Sequence, residues 1–204
     1  MTSEVQVDKW SPSTGVAGTI GDSGDTFTVP SGATLAIASG ATIANSGTAT
    51  GMGLFSSYAI IADQKAAGTS GGTFTSGAWR TRDLNTEITD PDGIVSISSD
   101  QFTLAAGTYL IKWLAPAYKC NSHQTRLYNV TDTAEVAVGN TSWTYQADSS
   151  VQTSSSGAAR TVITGSKAFT IEHQCEYTSA TNGLGVNFAA TTVQFTLVEI
   201  FKEA

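Results

Sequence analysis

Charged side chains are scarce in this sequence. Asp, Glu, Lys and Arg make up 13% of its 204 residues, and the balance is acidic, with a formal net charge of −7. Only 10 residues are Lys or Arg, spread along the chain with no basic run. A surface that binds nucleic acid needs clustered cations to neutralise phosphates, so the composition argues against DNA or RNA as a partner. Long apolar runs are missing as well. Residues 57–62 (SYAIIA) and 193–201 (VQFTLVEIF) have strand length, far short of the roughly 20 residues a membrane-spanning helix needs. No membrane insertion is expected. The opening MTSEVQVDKWS lacks the charged-then-apolar order of a signal peptide. Synthesis and folding in a cytosol are therefore expected, with any position outside a cell reached by a route other than secretion. Cys120 and Cys175 are too few for a disulfide scaffold, and free buried thiols are their plain reading. Helical periodicity over ten or more residues is absent too.

What is present begins with a short repeat. Ser-Gly recurs at Ser23-Gly24, Ser31-Gly32, Ser39-Gly40 and Ser46-Gly47, spaced by 8, 8 and 7 residues. Between these turns lie Phe27 and Val29, Leu35 and Ile37, then Ile43. Apolar residues two apart share one strand face, and glycine supplies the positive φ of a turn. The segment reads as short strand, turn, short strand. A repeat this small has almost no core of its own and needs neighbours to cover its apolar face. Copies of the same chain around an axis would serve, which implies a trimeric β-stalk with Phe27, Val29, Leu35, Ile37 and Ile43 facing that axis.

Upstream, residues 1–26 hold too little apolar material to fold alone. Val5, Val7 and Trp10 are the candidate anchor residues of an arm that orders on another protein, and a loose tail is the alternative. Residues 48–53 (TATGMG) form a link. From residue 55 onward the texture changes to longer strands, at 57–62, 95–97, 101–104, 107–114, 125–130, 135–138, 161–163, 168–177 and 193–201, with WRTRDL at 79–84 alternating in the manner of a strand and 186–188 as a further extension. TDPDG at 89–93 is a turn, and 139–158 reads as a long Ser/Thr-rich loop. About eight to ten short strands separated by turn signals imply a sandwich or jelly roll. The last strand does not alternate strictly, as expected of a central strand buried on both sides.

Two resemblances sharpen this reading. Residues 101–111 (QFTLAAGTYLI) resemble a phrase that leads into the central strand of jelly rolls of the tumour-necrosis-factor and complement-globular-head type, with Phe102, Ala106, Gly107 and Tyr109 filling the pattern. Such domains are compact trimers whose last strand lies mid-sheet, so the resemblance implies a trimeric head ending in 193–201. Residues 55–204 also resemble a group of bacteriophage structural proteins, through ADQK at 62–65, GGTFTSGAWRTRDLN at 71–85, RLYNVTD at 126–132 and ATNGLG at 180–185. VPSGATL at 29–35 and IANSG at 43–47 look like phage fibre and spike linkers. This resemblance implies a virion component, assembled in the host cytoplasm and carried on the virion surface.

Candidate chemistry is sparse. Every cysteine and histidine falls in Cys120-x-x-His123 or His173-x-Cys175. Two thiolates and two imidazoles make a zinc ligand set if the strands are adjacent in the right register, whereas a disulfide or unlinked thiols beside hydrogen-bonded histidines use the same residues. Asp90 and Asp92 are oxygen donors of the kind calcium takes, or simply parts of a turn. Arg80, Arg82 and Asp83 could pair across strands or at a subunit boundary. Neither histidine lies in a nucleophile motif, and no spacing among the 17 acids singles out a carboxylate pair for glycoside hydrolysis. No enzymatic activity, catalytic residue, cofactor or metal is expected. Trp143 and Tyr145, flanked by polar residues, are the candidate partner-binding residues, suited to stacking on sugars, anchoring a protein or covering a trimer seam.

The sequence therefore points to an all-β protein in three parts: an extended N-terminal virion-anchoring arm (1–26), a Ser-Gly β-stalk and hinge (27–54) and a jelly-roll sandwich head (55–204). The expected role is a homotrimeric phage fibre or spike. It would join other virion proteins through residues 1–26 and attach to a host-surface glycan or protein through its head. A capsid decoration protein and a glycan-cleaving tail spike are the alternatives.

Overall fold

The computed structural model describes residues 26, 28–41, 54–147 and 151–203. These fall in two units, one within residues 1–48 and the other within 49–204. In the first, the expected turns are present. The Ala33 N–H donates to the Pro30 carbonyl and the Ala41 N–H to the Ala38 carbonyl, both at 3.0 Å. Gly32 and Gly40 take φ of 84° and 82° at the third turn position, which makes both turns type II. The expected strands are not formed at 28–41. A strand exists by pairing, and none of the described residues pairs with these. Val29, Leu35 and Ile37 are accordingly exposed, Leu35 by 63%. Phe27, Ile43 and the anchor residues Val5, Val7 and Trp10 lie outside the described residues.

The second unit is all β among its described residues. Its strands are β1 (Phe55–Lys65), β2 (Arg80–Thr81), β3 (Thr86–Thr89), β4 (Val95–Ser98), β5 (Gln101–Leu104), β6 (Gly107–Tyr118), β7 (Asn121–Asn129), β8 (Ala134–Val138), β9 (Ser142–Thr144), β10 (Gln152–Ile163), β11 (Lys167–Cys175) and β12 (Val193–Glu203). They form two antiparallel sheets. One runs β10-β6-β12-β1-β3; the other runs β4-β5-β11-β7-β8, with β2 also on β11 and β9 also on β7. Chain neighbours such as β5 and β6, β6 and β7, or β10 and β11 lie in opposite sheets, while the first and last long strands pair. That order is a jelly roll. The fold class expected for the head is the one observed, with β12 in the centre of its sheet.

Alternation along the long strands builds the core. One sheet sends in Ala59, Ile61, Tyr109, Ile111, Trp113, Val198 and Ile200. The other sends in Phe102, Leu104, Leu127, Phe169 and Ile171. The Phe102 and Phe169 rings stack at 5.6 Å. Trp113 anchors one end of this core, its Nε1–H donating to the buried Thr125 Oγ1 at 2.8 Å. At the start of β12, Phe195 and Thr196 are both buried, beside a register shift between Ala62 and Gln64 of β1. The strand is covered on both sides there.

Three expectations need correction. Residues 139–158 are not one long loop: β9 and the first half of β10 occupy them. β10 pairs with β6 from Gln152 to Ile163, with Gly157 opposite Trp113, Ala158 opposite Lys112 and Ala159 opposite Ile111. Residues 186–188 form no strand. Around Trp79–Leu84 only Arg80–Thr81 is strand; the Arg82 N–H still donates to the Ile171 carbonyl at 2.8 Å, and its side chain is buried.

Candidate partner-binding end of the sandwich

Thr144 decides how Trp143 and Tyr145 are presented. β9 pairs with the start of β7, placing Asn121 opposite Thr144 and Ser122 opposite Trp143. The Thr144 side chain is fully buried. Its hydroxyl donates to the Val151 carbonyl at 2.9 Å and accepts from the Lys119 N–H at 3.4 Å. With Thr144 inward, strand alternation sends its neighbours outward. Trp143 is 54% and Tyr145 50% exposed, and their rings stack at 5.6 Å with 12° between planes. Beside them, Tyr118, Lys119, Gln146, Tyr177, Thr178 and Asn182 line an open hollow of about 380 Å³. Tyr177 is a further exposed aromatic. The sequence did not single it out, since it reads as the end of a strand.

Beneath this platform lies a buried hydrogen-bonded chain. Thr153 Oγ1 donates its one proton to the Trp143 carbonyl at 3.2 Å, so it accepts from His123 Nε2–H at 2.8 Å. His123 Nδ1 is then a bare acceptor and receives His173 Nε2–H at 2.9 Å. The direction of this chain leaves His173 Nδ1 as a lone pair, and that atom is buried without a partner. Both imidazoles are thus neutral Nε2–H tautomers. Burial, and secondarily the Arg82 guanidinium, lowers His123 to about 4. The same causes, in the same order, followed by the charge of a protonated His123, hold His173 well below its usual range.

Arg82 is among the largest fully enclosed side chains. Its Nε–H donates to Thr196 Oγ1 at 3.0 Å, and its terminal nitrogens donate to the carbonyls of Pro116 at 3.4 Å and Leu184 at 2.7 Å. Burial lowers it to about 10, against the opposing field of Asp63 and Asp83. The pairing of Arg80, Arg82 and Asp83 with one another across strands is not formed. Arg82 is interior and ties β12, β6 and the 184–185 loop together. Arg80 donates to the Thr75 carbonyl, and Asp83 pairs with Lys65 at 2.7 Å.

The Cys/His residues resolve into two pairs, the imidazoles as above and two free, buried thiols. Among the described residues, no group of three or more His, Cys, Asp or Glu side chains is placed to hold a metal. The 89–93 segment is a turn. The Asp90 carboxylate accepts from the Ile94 and Val95 N–H groups, both at 2.9 Å.

A second surface is the outer face of the five-stranded sheet. Cross-strand rows on it read Tyr58–Phe201–Leu110 and Ala62–Leu197–Leu114, with Ile60–Glu199–Lys112 between them. Lys112 and Glu199 pair at 3.2 Å. Leu114, Tyr58 and Val162 are exposed. A shallow cavity of about 520 Å³ opens between Leu114, Gly157 and Leu197.

No family model matches the sequence, and no curated protein matches it. Solved structures are similar in chain path. The globular domain of zebrafish complement 1qA protein is 14% identical, with a TM-score of 0.45 over 71% of this chain and 95% of that one. Eiger TNF from S. frugiperda is 11% identical, with a TM-score of 0.47 over 72% and 92%. PRD1 vertex protein P5 is 12% identical, with a TM-score of 0.43 over 74% and 100%. The jelly-roll assignment made above rests on the strand order itself.

Proposed function

We propose that this chain is a homotrimeric phage virion structural protein, a short fibre or spike whose jelly-roll head attaches to a host surface. The observation that carries the trimer is the outer face of the five-stranded sheet, where Tyr58, Leu114 and Val162 are exposed and Leu110, Leu197 and Phe201 are half-buried. An apolar face of this kind is covered at an interface between subunits. The Val29, Leu35 and Ile37 side chains of the Ser-Gly repeat are exposed in the same way, and three copies around one axis would cover both. Attachment is assigned to Trp143 and Tyr145, which present rigid aromatic surface at little entropic cost beside the polar hollow at Lys119 and Gln146. The platform suits a glycan or a protein, and three platforms on one particle give avidity without a tight single site. The mass of the full chain by light scattering tests the assembly. A threefold mass supports it, and a monomer at all concentrations rejects it as an autonomous trimer. Attachment is tested by labelled protein on host cells. Trp143→Ala with Tyr145→Ala is expected to abolish retention while leaving mass unchanged.

A further inference from the structure

Cys120 and Cys175 lie far apart in the chain, and the fold brings them together. Cys120 sits in the turn between β6 and β7, and Cys175 ends β11. They share a small apolar cluster with Phe74, Ala117 and Leu184. Cys175 is in register with His123, and the ladder continues past β11. The Glu176 N–H donates to the Ser122 carbonyl at 2.9 Å and the Tyr177 N–H to the Cys120 carbonyl at 3.0 Å. Backbone pairing thus brings the two cysteines into one cluster, with the Cys175 thiol donating to the Tyr177 carbonyl at 3.3 Å.

Their surroundings differ. Cys120 is fully enclosed. Cys175 lines an open surface cavity of about 260 Å³ with Ser122, His123, Gln174 and Glu176. A hydrogen bond between the two thiols, with Cys120 as donor, favours a Cys175 thiolate, and the Arg80 charge adds to it. Together they outweigh burial and hold Cys175 below the usual thiol range. The same hydrogen bond, followed by burial, pushes Cys120 up. A largely buried thiol at the wall of an open surface cavity, beside an enclosed second cysteine, is the arrangement of a pair that a small peroxide can reach and couple.

We propose that Cys175 and Cys120 are such a pair, an attacking and a resolving thiol that close to an intramolecular disulfide when the protein meets a peroxide. The Cys175 thiolate attacks one peroxide oxygen and the O–O bond breaks. Hydrogen peroxide thereby leaves Cys175 as a sulfenic acid and releases hydroxide. The Cys120 sulfur then attacks the sulfenic sulfur, the S–O bond breaks, and hydroxide leaves. The Cys120 proton and one from solvent convert the two hydroxides to water. Two thiols lose two hydrogens and one peroxide becomes two waters. The disulfide would tie the β6–β7 turn to the end of β11, at the base of the aromatic platform. This inference concerns the head alone and does not depend on the attachment reading.

The test uses the reduced full chain, treated with a small excess of hydrogen peroxide, quenched, denatured and alkylated with iodoacetamide. The expected product has lost two hydrogens, carries no carbamidomethyl group and yields one cross-linked peptide joining Cys120 to Cys175. Reduction restores two alkylated thiols. In Cys120→Ser, Cys175 stalls as a sulfenic acid that dimedone traps. In Cys175→Ser, Cys120 survives the same exposure. The oxidised protein melts about 5–10 °C higher than the reduced one, because a long loop is closed in the unfolded chain. Two alkylated thiols after a dose that oxidises glutathione in the same tube would overturn the proposal, as would a disulfide formed only between molecules. A dimedone adduct on Cys120 in the Cys175→Ser protein would overturn the division of roles.

Discussion

Gly157 stands where β10 passes over the Trp113 indole. A Cβ built there would lie 2.1 Å from Trp113 Cζ2, well inside contact distance. The indole has no room to retreat, because its Nε1–H is committed to Thr125 Oγ1 on the far side. Gly157→Ala is expected to cost about 2–4 kcal/mol, at or beyond the upper end of ordinary overpacking. Denaturant melts of the two proteins check this, and a loss below about 0.5 kcal/mol would show that the strand slides aside. The buried histidines set a second expectation. His123 titrates at about 4 when folded, against an ordinary value of 6.5. Between these values the unfolded chain binds more protons, so its contribution is fully present above about 6.5 and is lost as pH falls toward 4. The His123 share is about 2–3 kcal/mol, and His173, shifted in the same direction, adds to it. The melting temperature is expected to drop between pH 7.5 and 4.5, and His123→Gln to flatten that drop while lowering stability at neutral pH. A flat wild-type profile over that window would show that neither histidine is buried in its neutral form. Arg82 is the third residue of this kind. Arg82→Ala leaves three acceptors without a donor and a void where the side chain was enclosed, a loss of about 2–4 kcal/mol. Thermal unfolding measures it.

The hairpin joining β4 to β5 is an element whose turn the sequence concealed. Ser99 and Asp100 both take positive φ, at 51° and 62°, between the paired residues Ser98 and Gln101. That is a two-residue type I′ turn built without the usual Asn-Gly. Asp100 is retained because its Oδ1 accepts from the Leu84 N–H at 3.2 Å, whereas no side-chain contact of this kind involves Ser99. Ser99→Asn is therefore expected to stabilise the head by about 0.5 kcal/mol, and Asp100→Ala to destabilise it by about 1–2 kcal/mol through the lost cap and the strained backbone. Paired melting curves distinguish the two. The same contrast explains what was legible. β6 was readable because Tyr109, Ile111 and Trp113 alternate toward an apolar core, and β12 because its apolar residues form a strand-length run without strict alternation. β10 was not, because its Gly157 and Ala159 lie opposite Trp113 and Ile111 of β6 and its Ser155 is a buried partner of Thr125, and small residues look alike in a loop and under an indole. At the candidate site, Trp143 and Tyr145 stood out as aromatics in polar company, but the inward Thr144 that orients them did not. The His123–His173 contact depended on β7–β11 register, which periodicity alone does not fix. Arg82 was read as a surface charge because its burial depends on carbonyls of Pro116 and Leu184 that only the tertiary fold supplies.

At the scale of the molecule, the two faces of the five-stranded sheet carry different burdens. The inner face holds the core, and the outer face holds leucines and aromatics whose exposure weakens a free monomer's solubility. Lys112 and Glu199 sit within those apolar rows, paired with each other at 3.2 Å. Covering the face with another copy would desolvate this pair, which adds little binding energy but fixes register against misaligned partners. Affinity would then come from Leu114 and Leu197, which flank the shallow cavity beside Gly157. Leu114→Lys places a third charge beside Lys112 and Glu199 where a partner would close. It is expected to reduce the mass by light scattering from trimer to monomer while the folded far-ultraviolet spectrum persists, since Leu114 contributes nothing to the core cluster. Adding Leu197→Glu would supply a compensating charge opposite, because Leu197 and Leu114 are cross-strand partners. The double variant should nonetheless stay monomeric, since an exposed pair of this kind is worth about 0–1 kcal/mol and cannot replace the buried leucines. A trimer that survives both substitutions would place the subunit contacts on another face of the head or in the Ser-Gly repeat. The Trp143 and Tyr145 platform would then have to be tested as an attachment site without the avidity argument of three heads.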